Sequence, residues 1–219
     1  MFRHKVTGPI IAFDADNTIL RQERAIAMAL EQLAGASPDG LPTADLMADT
    51  GAPMDARLRR YLPEDEAKEL TQKFNQLMDQ HAPKMAEALP GAYKAFETIR
   101  TLGGLVIVIS AKRQALLERT LTTLRLKADT VVGDCYDLGG LAKADAILKY
   151  NATMYIGDDE LDMQAVRSAN NRKTHDGLIR AIGVTTGRHD EAALYEAGAH
   201  EVLASLEELP SLVHELYSD

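Results

Sequence analysis

Five short stretches of the chain are apolar at every position instead of at alternate ones: 9–13 (PIIAF), 105–110 (LVIVIS), 130–132 (TVV), 153–157 (TMYIG) and 181–185 (AIGVT). Unbroken apolar runs of this length suit strands buried on both faces, as in a parallel sheet covered by helices. Segments of helical spacing lie between them. Over 91–102, Ala92, Ala95, Phe96, Ile99 and Leu102 share one side before Gly103 and Gly104 stop the helix. Over 112–124, Leu116, Leu117, Thr120, Leu121 and Leu124 do the same. The tail HEVLASLEELPSLVHEL adds a short strand and a closing helix. Strand and helix therefore alternate, which predicts an α/β fold: a Rossmann-like open parallel sheet, with binding sites beyond the carboxyl ends of its strands.

The alternation breaks between about Arg21 and Leu89. Only helical patterns occur there: RAIAMALEQLAG, a turn-rich ASPDGLPT, PMDARLRRYL, and PEDEAKELTQKFNQLMDQ, in which Leu70, Phe74, Leu77 and His81 recur at helical spacing. The expectation is a small all-helical domain, residues 21–89, inserted after the first strand of a core formed by 1–20 and 90–219. It would sit over the tip of that strand.

The tip carries the first candidate chemistry. IIAFDADNTIL ends an apolar run in two carboxylates, Asp14 and Asp16. Residues two apart on an extended backbone point to the same side, so two like charges share one place unless something positive joins them. Other strand ends add to the set: Ser110 after LVIVI, and Asp158, Asp159 and Asp162 in GDDELD, with Lys143 in the connection before that strand. Singly, each has a structural explanation. Asp and Asn form turns, Ser caps helices, acids favour helix N-termini, and a lysine is usually solvated. Capping does not explain why acids, a hydroxyl and a cation gather at one edge of one sheet.

The remaining composition narrows the chemistry. At 219 residues, with a net charge of −9, the chain repels nucleic acid and anionic membranes at long range, so an anionic substrate needs a local positive site. Neither nucleic acid nor membrane is expected as a partner. Cys135 is the only cysteine, which excludes an intramolecular disulfide and suits a reducing, cytoplasmic location. The short apolar run near the start is interrupted by carboxylates before signal-peptide or membrane-span length.

Converging carboxylates suit a hard cation such as magnesium, which leaves positions open for phosphate and water. A carboxylate about 4 Å from a phosphate dianion meets roughly 8 kcal/mol of repulsion at an effective dielectric of 20. Magnesium and a lysine would cancel it, and a hydroxyl and helix-start amides would hold the other oxygens.

DADNT at 14–18, Ser110, Lys143 and GDDELD at 157–162 follow the order of the four motifs of haloacid dehalogenase-like hydrolases, which the chain resembles over nearly its whole length. The helical insert, LPG at 89–91 and IGVTTGRHDEAALYEAGAHEVLASLEEL resemble the phosphoglycolate phosphatase-like branch with a helical cap. The resemblance implies Asp14 as nucleophile and metal ligand. It implies Asp16 as general acid and base, with its main-chain carbonyl on the metal, and Asp158 as third ligand. Ser110 and the amide of Ala111 would hold phosphoryl oxygens, Lys143 would neutralise charge, and Asp162 and Asp159 would support the metal's outer shell. A dehalogenase of this family lacks the Asp16 carboxylate, so phosphoryl transfer is the chemistry implied.

Three positions depart from the family pattern. Asn17 replaces glycine, Ala111 replaces asparagine, and Lys143 is followed by ADA, leaving Lys112 as an alternative cation. Arg57, Arg59 and Arg60 have two readings, a cation for a substrate carboxylate or second phosphate and, preferred, a solvated helix face balanced by nearby acids; His81 reads as a surface or packed histidine. The function expected is a magnesium-dependent phosphatase of a small phosphoester, phosphoglycolate first, in a monomer or homodimer. A phosphomutase acting on a sugar phosphate is the alternative within the branch. A phospho-accepting signalling receiver is the alternative outside it, although a receiver needs neither the DxD spacing nor the insert.

Overall fold

A computed structural model of the chain describes residues 7–36, 40–48, 52–137, 139–174 and 177–217. Six strands form one parallel sheet: β1 (Ile10–Phe13), β4 (Leu105–Ile109), β5 (Thr130–Val132), β6 (Met154–Gly157), β7 (Arg180–Val184) and β8 (Glu201–Leu203). The order is β5-β4-β1-β6-β7-β8, so β1 sits centrally with β4 on one side and β6 on the other. The chain reverses direction across the sheet at β1, where doubly wound sheets open a crevice at their carboxyl edge. Asp14, Ser110 and Asp158 are the first residues beyond β1, β4 and β6 respectively.

Each strand buries alternate residues in two layers. Ile11 and Phe13 enter one core with α5 (Ala92–Thr101), α6 (Gln114–Leu124) and α10 (Leu209–Tyr217). Ala12 enters the other with α7 (Leu141–Lys149), α8 (Glu160–Arg172) and α9 (Glu191–Ala197). Phe13 and Phe96 pack with ring centroids 5.1 Å apart, tilted by 52°, a geometry that adds about 0.5–1.5 kcal/mol to simple burial. Gly91 starts α5 at φ 85°, and a Cβ there would overlap the backbone of Leu206 and Glu207, so the LPG turn needs its glycine.

The insert has its own core. The helices α1 (Glu23–Ala36), α2 (Thr43–Ala48), α3 (Met54–Leu58) and α4 (Glu64–Met85) bury Ala25, Leu30, Leu46, Leu58, Phe74 and Met78 together, and Leu116 of α6 joins them. Of the turn-rich stretch expected at 36–43, residues 37–39 lie outside the described residues. One expectation needs correction. The break is not purely helical, because β2 (Leu20–Arg21) and β3 (Glu87–Ala88) pair antiparallel where the insert leaves and rejoins the core. The last long helix continues past the expected spacing: α4 runs through Pro83 to Met85, with Ala82 and Pro83 buried. Proline so near the C-terminus of a helix disturbs little beyond one hydrogen bond, and burial compensates for it.

Arg57 also differs from the solvated face expected of it. It is buried, its Nε donating to the Ala52 carbonyl at 2.6 Å and its Nη1 to the Leu46 carbonyl at 2.9 Å, so it ties α3 to α2 and to the bend just before α3. Arg59 does pair with acids, at 2.7 Å from Asp55 and 2.9 Å from Glu64.

Candidate active site

The chain leaves β1 and bends at once. Asn17 adopts φ 57°, a left-handed conformation that Asn enters more readily than most residues, which accounts for its standing where the family pattern has glycine. The bend brings Asp14 and Asp16 to one cavity of about 80 Å³. Asn17, Ser110, Ala111, Lys143, Asp158, Asp159 and Asp162 line it too, so every site residue expected from the sequence is there.

Lys143 lies in the first turn of α7 and reaches across to the sheet edge. Its ammonium donates to Asp14 Oδ1 at 2.7 Å and to Asp162 Oδ1 at 2.6 Å. Burial pulls the Lys143 pKa down, but Asp14 and Asp162 more than reverse this, and it stands well above that of an ordinary lysine. Burial pushes the Asp14 carboxyl up to about 7, opposed by Lys143 and reinforced by Asp162 and Asp16. Burial, then the charges of Asp14 and Asp162, raise Asp158 well above the usual carboxylate range, while a hydrogen bond of 2.9 Å from Thr18 Oγ1 works the other way.

Asp14, Asp158 and Asp162 each offer an oxygen within 4.8 Å of the others, all buried. Three carboxylates against one ammonium leave a negative excess, and an all-oxygen donor set of that charge fits a hard divalent cation. The Asp16 carboxylate is elsewhere. Its Oδ2 lies 2.8 Å from Lys112 Nζ, and it is not one of the three carboxylates that converge.

GDDELD does two jobs at once. Asp159 caps α8, accepting from Leu161 N at 3.0 Å, and Asp162 returns a carboxylate oxygen to the Asp159 amide at 3.2 Å, which completes a capping box. Asp159 also meets Arg188 at 3.2 Å and His189 at 3.3 Å. Asp162 thereby holds a helix start with one oxygen and Lys143 with the other. Ser110 Oγ accepts from Lys112 N at 3.3 Å.

Several contributors escaped the sequence reading. Tyr155 reads as a core aromatic of a strand, yet its hydroxyl lies 3.1 Å from Asp162 Oδ1 and 3.2 Å from the Ile109 carbonyl. The loop after β7 seats the site from outside: Thr186 donates to the Asn17 carbonyl, and Gly187 packs so closely that a Cβ would overlap the Asp158 carboxylate. Nothing in the spacing of these residues signals a contact with motifs so distant in sequence. Thr18 was visible within DADNT.

The haloacid dehalogenase-like hydrolase family model matches residues 11–167. Comparison with curated protein sequences gives no match. Among solved structures, a haloacid dehalogenase-like family hydrolase from Streptococcus pneumoniae superposes with a TM-score of 0.78 at 16% identity, covering 93% of this chain and 97% of the other. A predicted phosphatase from Clostridium acetobutylicum gives 0.78 at 18% identity, with 95% and 99% covered. A predicted phosphoglycolate phosphatase from Haemophilus somnus 129pt gives 0.74 at 15% identity, with 94% and 97% covered. At these identities the structures share the fold. The family model spans most of the chain, from the first strand through the capping box of α8, and the chain belongs to the haloacid dehalogenase-like hydrolases.

Proposed function

We propose that the chain is a magnesium-dependent phosphatase that hydrolyses a small phosphomonoester through an aspartyl-phosphate on Asp14, with phosphoglycolate the first substrate to try. The observation that carries this reading is the Lys143 ammonium bridging Asp14 and Asp162 beside Asp158, at the carboxyl edge of the sheet. A site of this kind can lower the repulsion between a carboxylate nucleophile and a phosphate dianion, the largest electrostatic obstacle to the reaction.

In the first step Asp14 forms a bond to phosphorus while the ester P–O bond breaks, and Asp16 gives a proton to the leaving alcohol oxygen. In the second, a water oxygen attacks phosphorus, Asp16 takes its proton, and the Asp14 carboxylate leaves. Ser110 Oγ and the Ala111 amide hold phosphoryl oxygens, and Lys143 balances charge between Asp14 and phosphate. Asp14, Asp158 and the Asp16 carbonyl are the metal-binding groups, with Asp162 and Asp159 outside them. Bound magnesium supplies further positive charge to the phosphoryl oxygens. Residues 21–89 act as a cap, hinged at the β2 and β3 pair, that excludes water during the first step.

A panel of phosphomonoesters assayed for released phosphate, with magnesium and with Asp14→Asn as control, tests the proposal. Turnover by the parent and none by the variant supports it. No release from any ester sinks it.

A further inference from the structure

The small chamber around Asp14 opens beside a larger cavity of about 170 Å³, and the two share Asp16, Asn17 and Ala111. The insert contributes Ile26, Met54, Phe74 and Met78 to its walls, and the core contributes Lys112 and Leu116. If the phosphoryl group occupies the chamber, the leaving alcohol has this cavity to fill.

Lys112 is unusual among the cations here. Its side chain is 5% exposed, and its ammonium has one partner among the described residues, Asp16 Oδ2 at 2.8 Å. An ammonium carries three donors, and leaving two unused in a buried setting is costly. The other cations nearby are better satisfied. Arg113 grips Asp79 with two nitrogens, at 3.0 and 2.9 Å, and reaches the Asn75 carbonyl at 3.2 Å. Lys143 is shared by two carboxylates. A second observation points the same way with opposite sign: Gln22, 6% exposed, lines the same cavity with its amide oxygen buried and without a hydrogen-bond donor. The cavity therefore holds an unspent cationic donor and two unspent acceptors, the neutral Gln22 oxygen and Asp16 Oδ1, which is also buried without a hydrogen-bond partner and belongs to the residue assigned to the leaving oxygen.

We propose that Lys112 and Gln22 together read the leaving alcohol, Lys112 taking a carboxylate carried next to the ester carbon and Gln22 accepting from a free hydroxyl. The inference rests on the phosphatase reading above and narrows it to phosphate esters of hydroxy acids that keep a second hydroxyl. The carboxylate must be close to the ester because Lys112 contacts Asp16, the residue assigned to the leaving oxygen. An anion is favoured over a second hydroxyl at Lys112 because Asp16 leaves two of its N–H donors free, and a hydrogen bond from an ammonium to a charged acceptor is stronger than one to a neutral acceptor. Gln22 carries no charge and lies on the insert side of the junction, at the residue after β2, where it meets a more distant part of the alcohol.

Binding separates this inference from turnover. In protein carrying Asp14→Asn, calorimetry with magnesium present compares 2-phosphoglycerate, phosphoglycolate and glycerol 2-phosphate. The expected result is about tenfold tighter binding of 2-phosphoglycerate than of glycerol 2-phosphate, a preference that Lys112→Met erases. Gln22→Leu should instead erase the smaller preference for 2-phosphoglycerate over phosphoglycolate while leaving the carboxylate preference in place. A carboxylate preference that survives Lys112→Met overturns the proposal, as does equal binding of all three esters, which would leave the phosphatase reading intact. Binding of none of the three overturns the proposal as well, and phosphate release from the wider ester panel then decides the phosphatase reading separately.

Discussion

Lys143 Nζ lies 2.7 Å from Asp14 Oδ1, and both side chains are almost fully buried. The contact joins residues 129 positions apart. Without the ammonium, Asp14, Asp158 and Asp162 would face one another as uncompensated carboxylates. Lys143→Met is therefore expected to destabilise the metal-free protein at pH 7 by about 3–5 kcal/mol, the usual cost of breaking a buried pair. It should lower the phosphatase rate at least about 100-fold even at saturating magnesium. Denaturant titration in chelator and steady-state kinetics measure the two effects separately.

The raised Asp14 pKa gives stability a definite pH dependence. A carboxyl lifted in the folded state binds its proton more tightly there than in the unfolded chain, so its contribution to stability falls as pH rises from 3.8 through about 7. Asp158 shifts in the same direction. Metal-free protein should therefore lose stability as the pH rises from 3.8 through about 7. Magnesium should raise the melting temperature more at the upper end of that range than at the lower, by at least about 3 °C. Equal stabilisation at both ends would contradict this ordering.

Gly187 is a packing constraint on the acids and makes no polar side-chain contact of its own. A Cβ at Gly187 must displace the Asp158 carboxylate, so Gly187→Ala is expected to weaken magnesium affinity about tenfold or more while the far-ultraviolet circular dichroism stays unchanged. Calorimetric magnesium titration of the variant checks it. Unaltered affinity would mean that the loop after β7 yields instead of the acid.

Asp79 of α4 meets both Arg113 and Arg119 of the core, so one acid of the insert is held by two core arginines. These side chains are between a third and a half exposed, and solvent screening limits the worth of each pair. A double-mutant cycle with Asp79→Ala and Arg113→Ala should give a coupling of about 0.5–1 kcal/mol, measured by denaturant unfolding. No coupling would remove Asp79 from the list of contacts that seat the insert.

The parallel sheet was legible because its strands are buried on both sides and so carry no polar residue to break the apolar run, as IIAF and LVIVI illustrate. The acids, Ser110 and Lys143 could be picked out because each stands at the end of such a run or in a motif of fixed spacing. What spacing cannot convey is which distant partner a side chain meets. Lys143 could be flagged as a cation, but its position in the first turn of a helix, aimed at two acids, follows from packing of α7 against α8 and the sheet. Arg57 read as solvent-facing because its neighbours are charged, yet it enters the interior to satisfy one carbonyl of α2 and one of the bend before α3. The pair formed by β2 and β3 is two residues long on each side, too short for any periodicity to register.

The chemistry proposed for this site requires Asp14 to accept a phosphoryl group. Acid-quenched protein, sampled during turnover with magnesium and a hydrolysed phosphoester and then digested for peptide mass spectrometry, tests it most directly. The expected result is a phosphorylated peptide modified at Asp14, which Asp14→Asn eliminates together with phosphate release. Undiminished release from the Asn variant, or phosphoryl transfer to another residue, would contradict it.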